Sequence, residues 1–272
     1  MKMKRSHRLV DMTHYLLNHP YTTIPLPFFG KAYNAAKSSI SEDIGIIADQ
    51  FKQAGIGKVE TLAGASGGVV FRPRLAEDQS RKYMEQLALR LSDNQRILPG
   101  GYFYFSDILG NPEDLRKIGT IIASAYFNQE IDVIMTMATK GIPLAQAVAY
   151  ALNVPFVVVQ REAKLTEGST VSVTYVAGNN NQVKKMGLTK NSLSRHQNIL
   201  IVDDYMNVGG TMKGMHSLVK EFECEVVGAV VFAESDVHER KLPITYRSLI
   251  RVQKSSDNQE IELIHLGSLF DQ

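Results

Sequence analysis

Leu9, Met12, Leu16 and Leu17 recur at the spacing of one helix face, and the pattern ends near Asn18-His19-Pro20. A second helical pattern starts after Thr23, tolerating Pro25 in its first turn and turning Leu26, Phe29 and Tyr33 inward. A third is clearer: Ile40, Ile44, Ile47, Ala48 and Phe51 form one apolar stripe. Ser39-Ile40-Ser41-Glu42 fits a capping box that starts this helix at Ser39. The period then changes. Lys58–Leu62 and Val69-Val70-Phe71-Arg72 flank the glycine-rich Ala63-Gly64-Ala65-Ser66-Gly67-Gly68, which predicts a hairpin. Three helices and a hairpin make a winged helix-turn-helix domain over residues 1–74. Residues 75–96 are charged and helical in pattern, with Met84, Leu87, Ala88 and Leu91 on one side, predicting a connecting helix before Pro99-Gly100-Gly101.

Beyond that point strand and helix patterns alternate. Tyr102–Phe105, Val133–Met137, Val157–Gln160, Ile199–Val202 and Val227–Phe232 read as strands. Helical spacing links Leu115, Ile118 and Ile122, then Ala145 and Val148, then Met212, Met215, Val219 and Phe222. The alternation predicts an α/β domain, a mostly parallel sheet flanked by helices, with ligands beyond the C-terminal ends of its strands. The tail from Asp236 onward is polar and sets no clear element beyond a turn at Ser255-Ser256-Asp257-Asn258.

The chemistry concentrates in Ile199–Thr211. Four branched apolar residues form a buried strand, Asp203 and Asp204 close it, and Gly209-Gly210 opens a helix. Helix-start N–H groups left accessible by glycines wrap a phosphate, and the helix dipole favours its charge. Thr211 adds a hydroxyl donor, and the two carboxylates accept hydrogen bonds from vicinal hydroxyls, as on a ribose. A solvated acidic turn before an ordinary helix is the plainer alternative. It leaves unexplained why strand, acid pair, glycine pair and hydroxyl occur together in this order. No Gly-x-Gly-x-x-Gly is present to support a dinucleotide site, and the Ala63–Gly68 turn lacks the Gly-Lys-Ser/Thr ending of a P-loop and joins two strands.

These residues match the phosphoribosyl pyrophosphate (PRPP) signature of type I phosphoribosyltransferases, and from Leu98 to about Ser235 the chain resembles an adenine or xanthine phosphoribosyltransferase. Ile131-Asp132-Val133-Ile134, leading to Ala138-Thr139-Lys140-Gly141, resembles the family's pyrophosphate loop. Leu152–Val157 resembles the following strand. Arg161 to Gly178, with Lys164 and Thr170–Tyr175, resembles its mobile active-site loop. Together the halves resemble the Gram-positive purine operon regulators, which place a winged helix before a phosphoribosyltransferase-like sensor. The resemblance implies that residues 97–272 bind PRPP as effector, with Mg²⁺, and that no catalytic residue is at work. The 5-phosphate would lie on Gly209, Gly210 and Thr211, next to Asn207, the ribose on Asp203 and Asp204, and the pyrophosphate near Ala138, Thr139, Lys140 and Gly141, with Arg161 and Lys164. Tyr102 and Tyr205 would sandwich a purine if the pocket also admits (p)ppGpp, or else pack at the sheet edge. Asn207 and Val208 stand where the enzymes often have Ala and Thr, and the sequence that would supply a base-holding hood is used for a winged helix and linker. A purine phosphoribosyltransferase with an appended DNA-binding domain is the alternative. A purely architectural DNA-binding protein would leave the sugar-phosphate site without a purpose.

The net charge of +2 conceals an asymmetry: residues 1–74 carry ten Lys and Arg against five acids, +5, leaving −3 for the rest. A basic module before a mildly acidic one fits a polyanion partner for the first segment. In a winged helix the third helix enters the major groove N-terminal end first. Lys37, Ser38, Ser39 and Ser41 then face base edges and phosphates, while Lys4, Arg5 and Arg8 lie along the DNA backbone. The alternative leaves the serines as caps and the lysines as solubilising charges. Double-stranded operator DNA is the expected partner, a PurBox by the resemblance, and a homodimer is expected on the same grounds. Cys224, the one cysteine, cannot form an internal disulfide and reads as a structural thiol near a helix end; the seven histidines lack metal-ligand spacing. No apolar run approaches the roughly 18 residues of a membrane span, and the basic start lacks the apolar stretch of a signal peptide, so a cytoplasmic protein is expected.

Overall fold

The computed structural model describes residues 3–64, 67–98, 102–161, 168–177, 182–236, 240–254 and 261–271. The chain divides into two compact units: Met1–Ala76 with Ala151–Asn153, and Glu77–Tyr150 with Val154–Gln272.

In the first unit, α1 (Arg5–Asn18), α2 (Leu26–Tyr33) and α3 (Lys37–Ala54) precede β1 (Gly57–Leu62) and β2 (Gly68–Pro73), which pair antiparallel. Met12, Leu16, Phe29, Tyr33, Ile40, Ile44, Ile47, Phe51, Val69 and Phe71 form one buried cluster, the hydrophobic stripes meeting as their spacing required. Leu17 is the exception, 41% exposed. Pro25 is the N-cap of α2 and Pro27 occupies its first turn, so the helix starts two residues later than the sequence pattern placed it. The capping box at Ser39 does not form. Asn34 ends α2 in the left-handed conformation at φ 49°, so the chain turns within two residues and α3 begins at Lys37 behind Ala36, without a side-chain cap. Ser39 therefore lies inside the first turn.

A buried ion pair crosses this core. Arg8, on the inner face of α1, donates from Nε (2.8 Å) and Nη2 (2.7 Å) to Asp43 Oδ2 of α3, and both side chains are buried. Arg5 Nε reaches the other carboxylate oxygen at 2.9 Å. Removing one partner of such a pair strands a charge away from water, whereas replacing both by apolar groups is nearly neutral. Asp43→Ala is therefore expected to destabilise the first unit by about 3–5 kcal/mol, and Arg8→Met on that background should restore much of the loss. Urea unfolding of the two variants measures both, and an Asp43→Ala protein as stable as wild type contradicts the assignment.

In the second unit α4 (Glu77–Leu91) leads to a short hairpin of β3 (Ile97–Leu98) and β4 (Tyr102–Phe103), then α5 (Ser106–Gly110), α6 (Pro112–Ala125), β5 (Val133–Met137), α7 (Gly141–Leu152) and β6 (Phe156–Val159). Next come β7 (Thr170–Ala177) and β8 (Gln182–Thr189), then β9 (Asn198–Met206), α8 (Gly210–Glu221), β10 (Glu225–Ser235), β11 (Tyr246–Lys254) and β12 (Ile261–Leu266). The helix read as a connector packs inside this unit: Met84, Leu87, Ala88 and Leu91 are buried, and Arg90 pairs at 3.0 Å through both terminal nitrogens with Asp114 of α6. Residues 170–177, read as part of a loop, form a hairpin strand with β8, turning Tyr175 and Met186 onto the sheet's core. The polar tail contributes two strands to the sheet.

That sheet runs β12-β11-β10-β9-β5-β6, parallel except for the antiparallel edge strand β12. Its central strands are buried on both faces, which is why Ile199–Val202 and Ala229–Ala233 are unbroken apolar runs. From β5 the chain goes through α7 to β6 on one side, and β9 then pairs on the other side of β5. The order of strands reverses there. In open α/β sheets such a switch point leaves a crevice beyond the C-terminal strand ends, and the ends of β5 and β9 border it. Cys224 is buried, its thiol donating to the Ser194 carbonyl at 3.0 Å, as a structural thiol should.

Candidate functional site

Asp203 and Asp204 lie near the C-terminal end of β9, and the loop after β5 lies beside them at the switch point. Asp203 is almost wholly buried, and the Asp204 amide donates to its Oδ1 at 3.0 Å. Burial, reinforced by the Asp204 charge, holds the Asp203 carboxyl well above the usual range. Burial also raises Asp204, whose charge is favoured by its hydrogen bond with Asp203 and by Lys140. The pair thus favours a proton on Asp203. Arg161 acts on Asp203 and Lys140 on Asp204 in the sense of favouring the ionised acids. The sequence assigned both cations to the pyrophosphate; in the fold each also acts electrostatically on one acid of the pair. Lys164 lies outside the described residues.

The turn after β9 is built for an anion. Gly209 is the N-cap of α8 with φ +86°, a left-handed conformation that favours glycine, and a Cβ there would also meet Leu242 Cδ2 at 2.8 Å. With no side-chain cap, the first N–H groups of α8 have no side-chain acceptor from the N-cap, and the positive end of the helix dipole faces outward. A pocket of about 130 Å³ is lined by Asp203, Val231 and the whole run from Tyr205 to Met212. Asp203 and the phosphate turn thus share one cavity, and Asn207, Gly209, Gly210 and Thr211 all line it.

Across from it, the Ala138–Thr139 peptide is cis and Gly141 begins α7. A Cβ on Gly141 would lie 2.3 Å from Thr136 Oγ1 and 2.8 Å from Asp203 Oδ1, so only glycine lets the loop approach the acid pair. Thr136 escaped sequence reasoning: it is fully buried, and its hydroxyl has no hydrogen-bond partner among the described residues. Phe105 was missed too. Its ring stacks on Tyr205 (6.2 Å between centroids, 22° between planes), and Lys140 Nζ lies 5.7 Å from its centroid. Tyr205 also shares a 2.6 Å hydrogen bond with Ser235 Oγ. Tyr205 thus packs against Phe105 and also lines the cavity. Tyr102 stands on β4 in the hairpin ahead of Phe105.

Comparison with known proteins gives the family. Residues 4–73 match the family model described as bacterial purine repressor, N-terminal, and residues 105–263 match the phosphoribosyl transferase domain. Over 270 residues the chain is 48% identical to the purine biosynthesis transcriptional activator PurR of Lactococcus lactis subsp. lactis, covering 99% of each chain. It is 49% identical over 250 residues to the purine biosynthesis transcriptional repressor PurR of Bacillus subtilis, covering 92% of this chain and 88% of that one. The chain belongs to the PurR family of purine regulators. Its second unit shares the fold of adenine phosphoribosyltransferase from Thermoanaerobacter pseudethanolicus, with a TM-score of 0.51 at 23% identity, covering 55% of this chain and 87% of that one.

In this PurR family member the DNA-facing candidates do not all stand where the sequence placed them. Lys4, Lys37, Ser38 and Ser41 are exposed, around the N-terminal end of α3 and the start of α1, and Ser39 is partly exposed. Arg8 is the correction: buried and paired with Asp43, it orients α3 from within and cannot lie along a DNA backbone. Arg5 keeps an exposed side chain but is shared with Asp43 and Glu42. Gly45 was overlooked. It lies in the exposed part of α3, where a Cβ would meet nothing, although glycine inside a helix costs about 1 kcal/mol relative to alanine. A bare backbone at that point lets the helix approach a groove closely. No helix among the described residues is long and apolar enough to cross a membrane.

Proposed function

We propose that this regulator binds operator DNA of purine biosynthesis and salvage genes as a homodimer and senses PRPP in its second unit, without transferase activity. The observation that supports PRPP sensing best is the cavity shared by Asp203 and the uncapped phosphate turn, with Asp204 next to Asp203 on β9. Asp203 and Asp204 take the ribose hydroxyls, and Gly209, Gly210 and Thr211 take the 5-phosphate. Thr139, Lys140 and Gly141, with Arg161 and Lys164, meet the pyrophosphate. Mg²⁺ enters with the effector. The described residues include no group of three or more His, Cys, Asp or Glu side chains able to hold an ion. Magnesium is commonly bound by one or two carboxylates together with phosphate oxygens. A second effector such as (p)ppGpp would place its phosphates on the same loops, with its purine held by something other than a free Tyr205 ring. The first unit reads a PurBox-like duplex through α3.

Named relatives include both an activator and a repressor, and in this reading the sign of regulation is set by where the operator lies relative to the promoter. Operator binding measured with and without PRPP tests the reading: PRPP is expected to shift the affinity, and an unchanged affinity over a full titration counts against it. Transferase activity is tested separately. Incubation with PRPP and adenine, guanine, hypoxanthine or xanthine is expected to yield no nucleotide, because Val208 removes a hydroxyl from the phosphate turn and the base hood is replaced. Rapid, saturable pyrophosphate release with any of these bases favours the enzyme instead.

A further inference from the structure

The C-terminal strand β11 goes beyond what a phosphate pocket needs, yet with the end of β10 it converges on one side chain, Arg240. Arg240 donates from Nε to the Asn207 carbonyl at 2.5 Å and from Nη2 to the Met206 carbonyl at 3.5 Å and to the Ser235 carbonyl. Its Nη1 donates to Glu234 and, at 2.8 Å, to the Tyr246 hydroxyl. A guanidinium has five N–H donors in a rigid fork, and here each nitrogen is engaged. Glu234 is buried and held from its other side, Ser248 Oγ of β11 donating to Oε1 at 2.5 Å. The arginine is thus fixed by β10 and β11, and it in turn grips the first two residues of the phosphate turn. Two residues further on, Leu242 closes against Gly209.

We propose that Arg240 is the positioning residue of the phosphate turn, and that Glu234 of β10 and Tyr246 of β11 serve to hold it there. In a trans peptide the C=O and the N–H of the next residue point in opposite directions. With the Met206 and Asn207 carbonyls tied to Arg240, the Asn207 and Val208 amides point to the opposite side. Those residues line the pocket, so the latch aims two N–H donors at the anion before it arrives. Its charge also polarises both peptides in the direction that strengthens those donors. Arg240 touches no effector on this account. It sets the turn that does.

The inference rests on the PRPP reading, and the test separates the two. Full-length wild type and Arg240→Lys are titrated calorimetrically with ribose 5-phosphate and with inorganic pyrophosphate, and operator binding is followed in parallel. Lysine keeps a charge opposite buried Glu234, so the fold is retained, but a single ammonium cannot span the partners of the fork. Ribose 5-phosphate affinity is expected to fall by about tenfold or more, the scale of one lost charge-assisted hydrogen bond. Pyrophosphate affinity, which belongs to the Thr139–Gly141 loop, and operator binding should stay at wild-type values. Equal affinity of both proteins for ribose 5-phosphate overturns the latch while leaving the effector reading intact. So does a parallel loss of ribose 5-phosphate, pyrophosphate and operator binding, which marks a merely structural arginine. Wild-type protein that binds neither ribose 5-phosphate nor, in a third titration, PRPP overturns the effector reading, and the latch with it.

Discussion

Protein carrying Asp203→Asn and Asp204→Ala is expected to lose PRPP affinity by at least about a hundredfold, since two or more hydrogen bonds to charged groups, each worth ~1.5–3 kcal/mol, disappear. The same pair sets a pH dependence in the protein before the effector binds. Both acids have folded pKa values above the ordinary 3.8, Asp203 well above it, so the native state holds more protons than the unfolded chain in that window. Stability is then greatest with the pair protonated and falls as pH rises from 3.8 through the folded values. Every tenfold difference in proton affinity between the folded and unfolded chain corresponds to about 1.4 kcal/mol. Asp203→Asn alone should therefore abolish tight PRPP binding yet make the unliganded protein more stable at neutral pH, with a flatter stability profile. Binding in the wild type should release protons, because the ribose hydroxyls and Mg²⁺ select the ionised acids. Calorimetry in buffers of different ionisation enthalpy reads that release. Unchanged PRPP affinity in the double variant would remove the acid pair from ribose recognition. A variant less stable than wild type would contradict the burial argument.

What could be read from the sequence and what could not divides along the range of the interactions involved. Strand β9, the acid pair and the glycine turn are encoded within 13 consecutive residues, Ile199–Thr211, and they fold as written. The packing of α1, α2 and α3 followed from helical spacing for the same reason. Arg8 failed because its fate is decided by Asp43, 35 residues away, and a basic segment gives no sign of which charge turns inward. The capping box at Ser39 matched a local rule but lost to the left-handed Asn34, which ends α2 so abruptly that α3 starts two residues earlier. Val171, Val173 and Tyr175 alternate with Ser172 and Thr174 in a legible period of two, the mark of a strand, although the same residues resemble the mobile loop of the transferases. Strands β11 and β12 were obscured because one edge of a sheet tolerates polar residues. Arg240, Arg251, Tyr246 and Ser248 look like solvated tail until Glu234 gathers them.

Exchanging both Lys4 and Lys37 for Ala is expected to weaken binding to every DNA sequence alike, by roughly tenfold at low salt. It should also reduce the slope of log affinity against log salt by about 2, since each neutralised phosphate contributes about 0.9. Both lysines are exposed and stand at the start of α1 and the N-terminal end of α3, where the backbone of a duplex flanks a helix in its groove. Arg5 should matter less than its charge suggests, because Glu42 and Asp43 already share it. Arg8→Ala should lower stability while leaving the salt slope of the folded protein unchanged, which separates a buried arginine from a phosphate contact. Ser38→Ala and Ser41→Ala should instead change the ranking of operator variants with little effect on non-specific binding, provided their hydroxyls reach base edges. Gly45→Ala probes the same surface from the backbone side: a methyl group that improves helix propensity should still cost operator affinity if the groove closes on that point. The competing possibility is that Lys140 and Arg161 bind DNA through the second unit, but a concave site at the sheet's switch point offers a duplex no continuous surface. A chain beginning at Leu75 that bound operator DNA with full affinity would take the DNA contact away from residues 1–74.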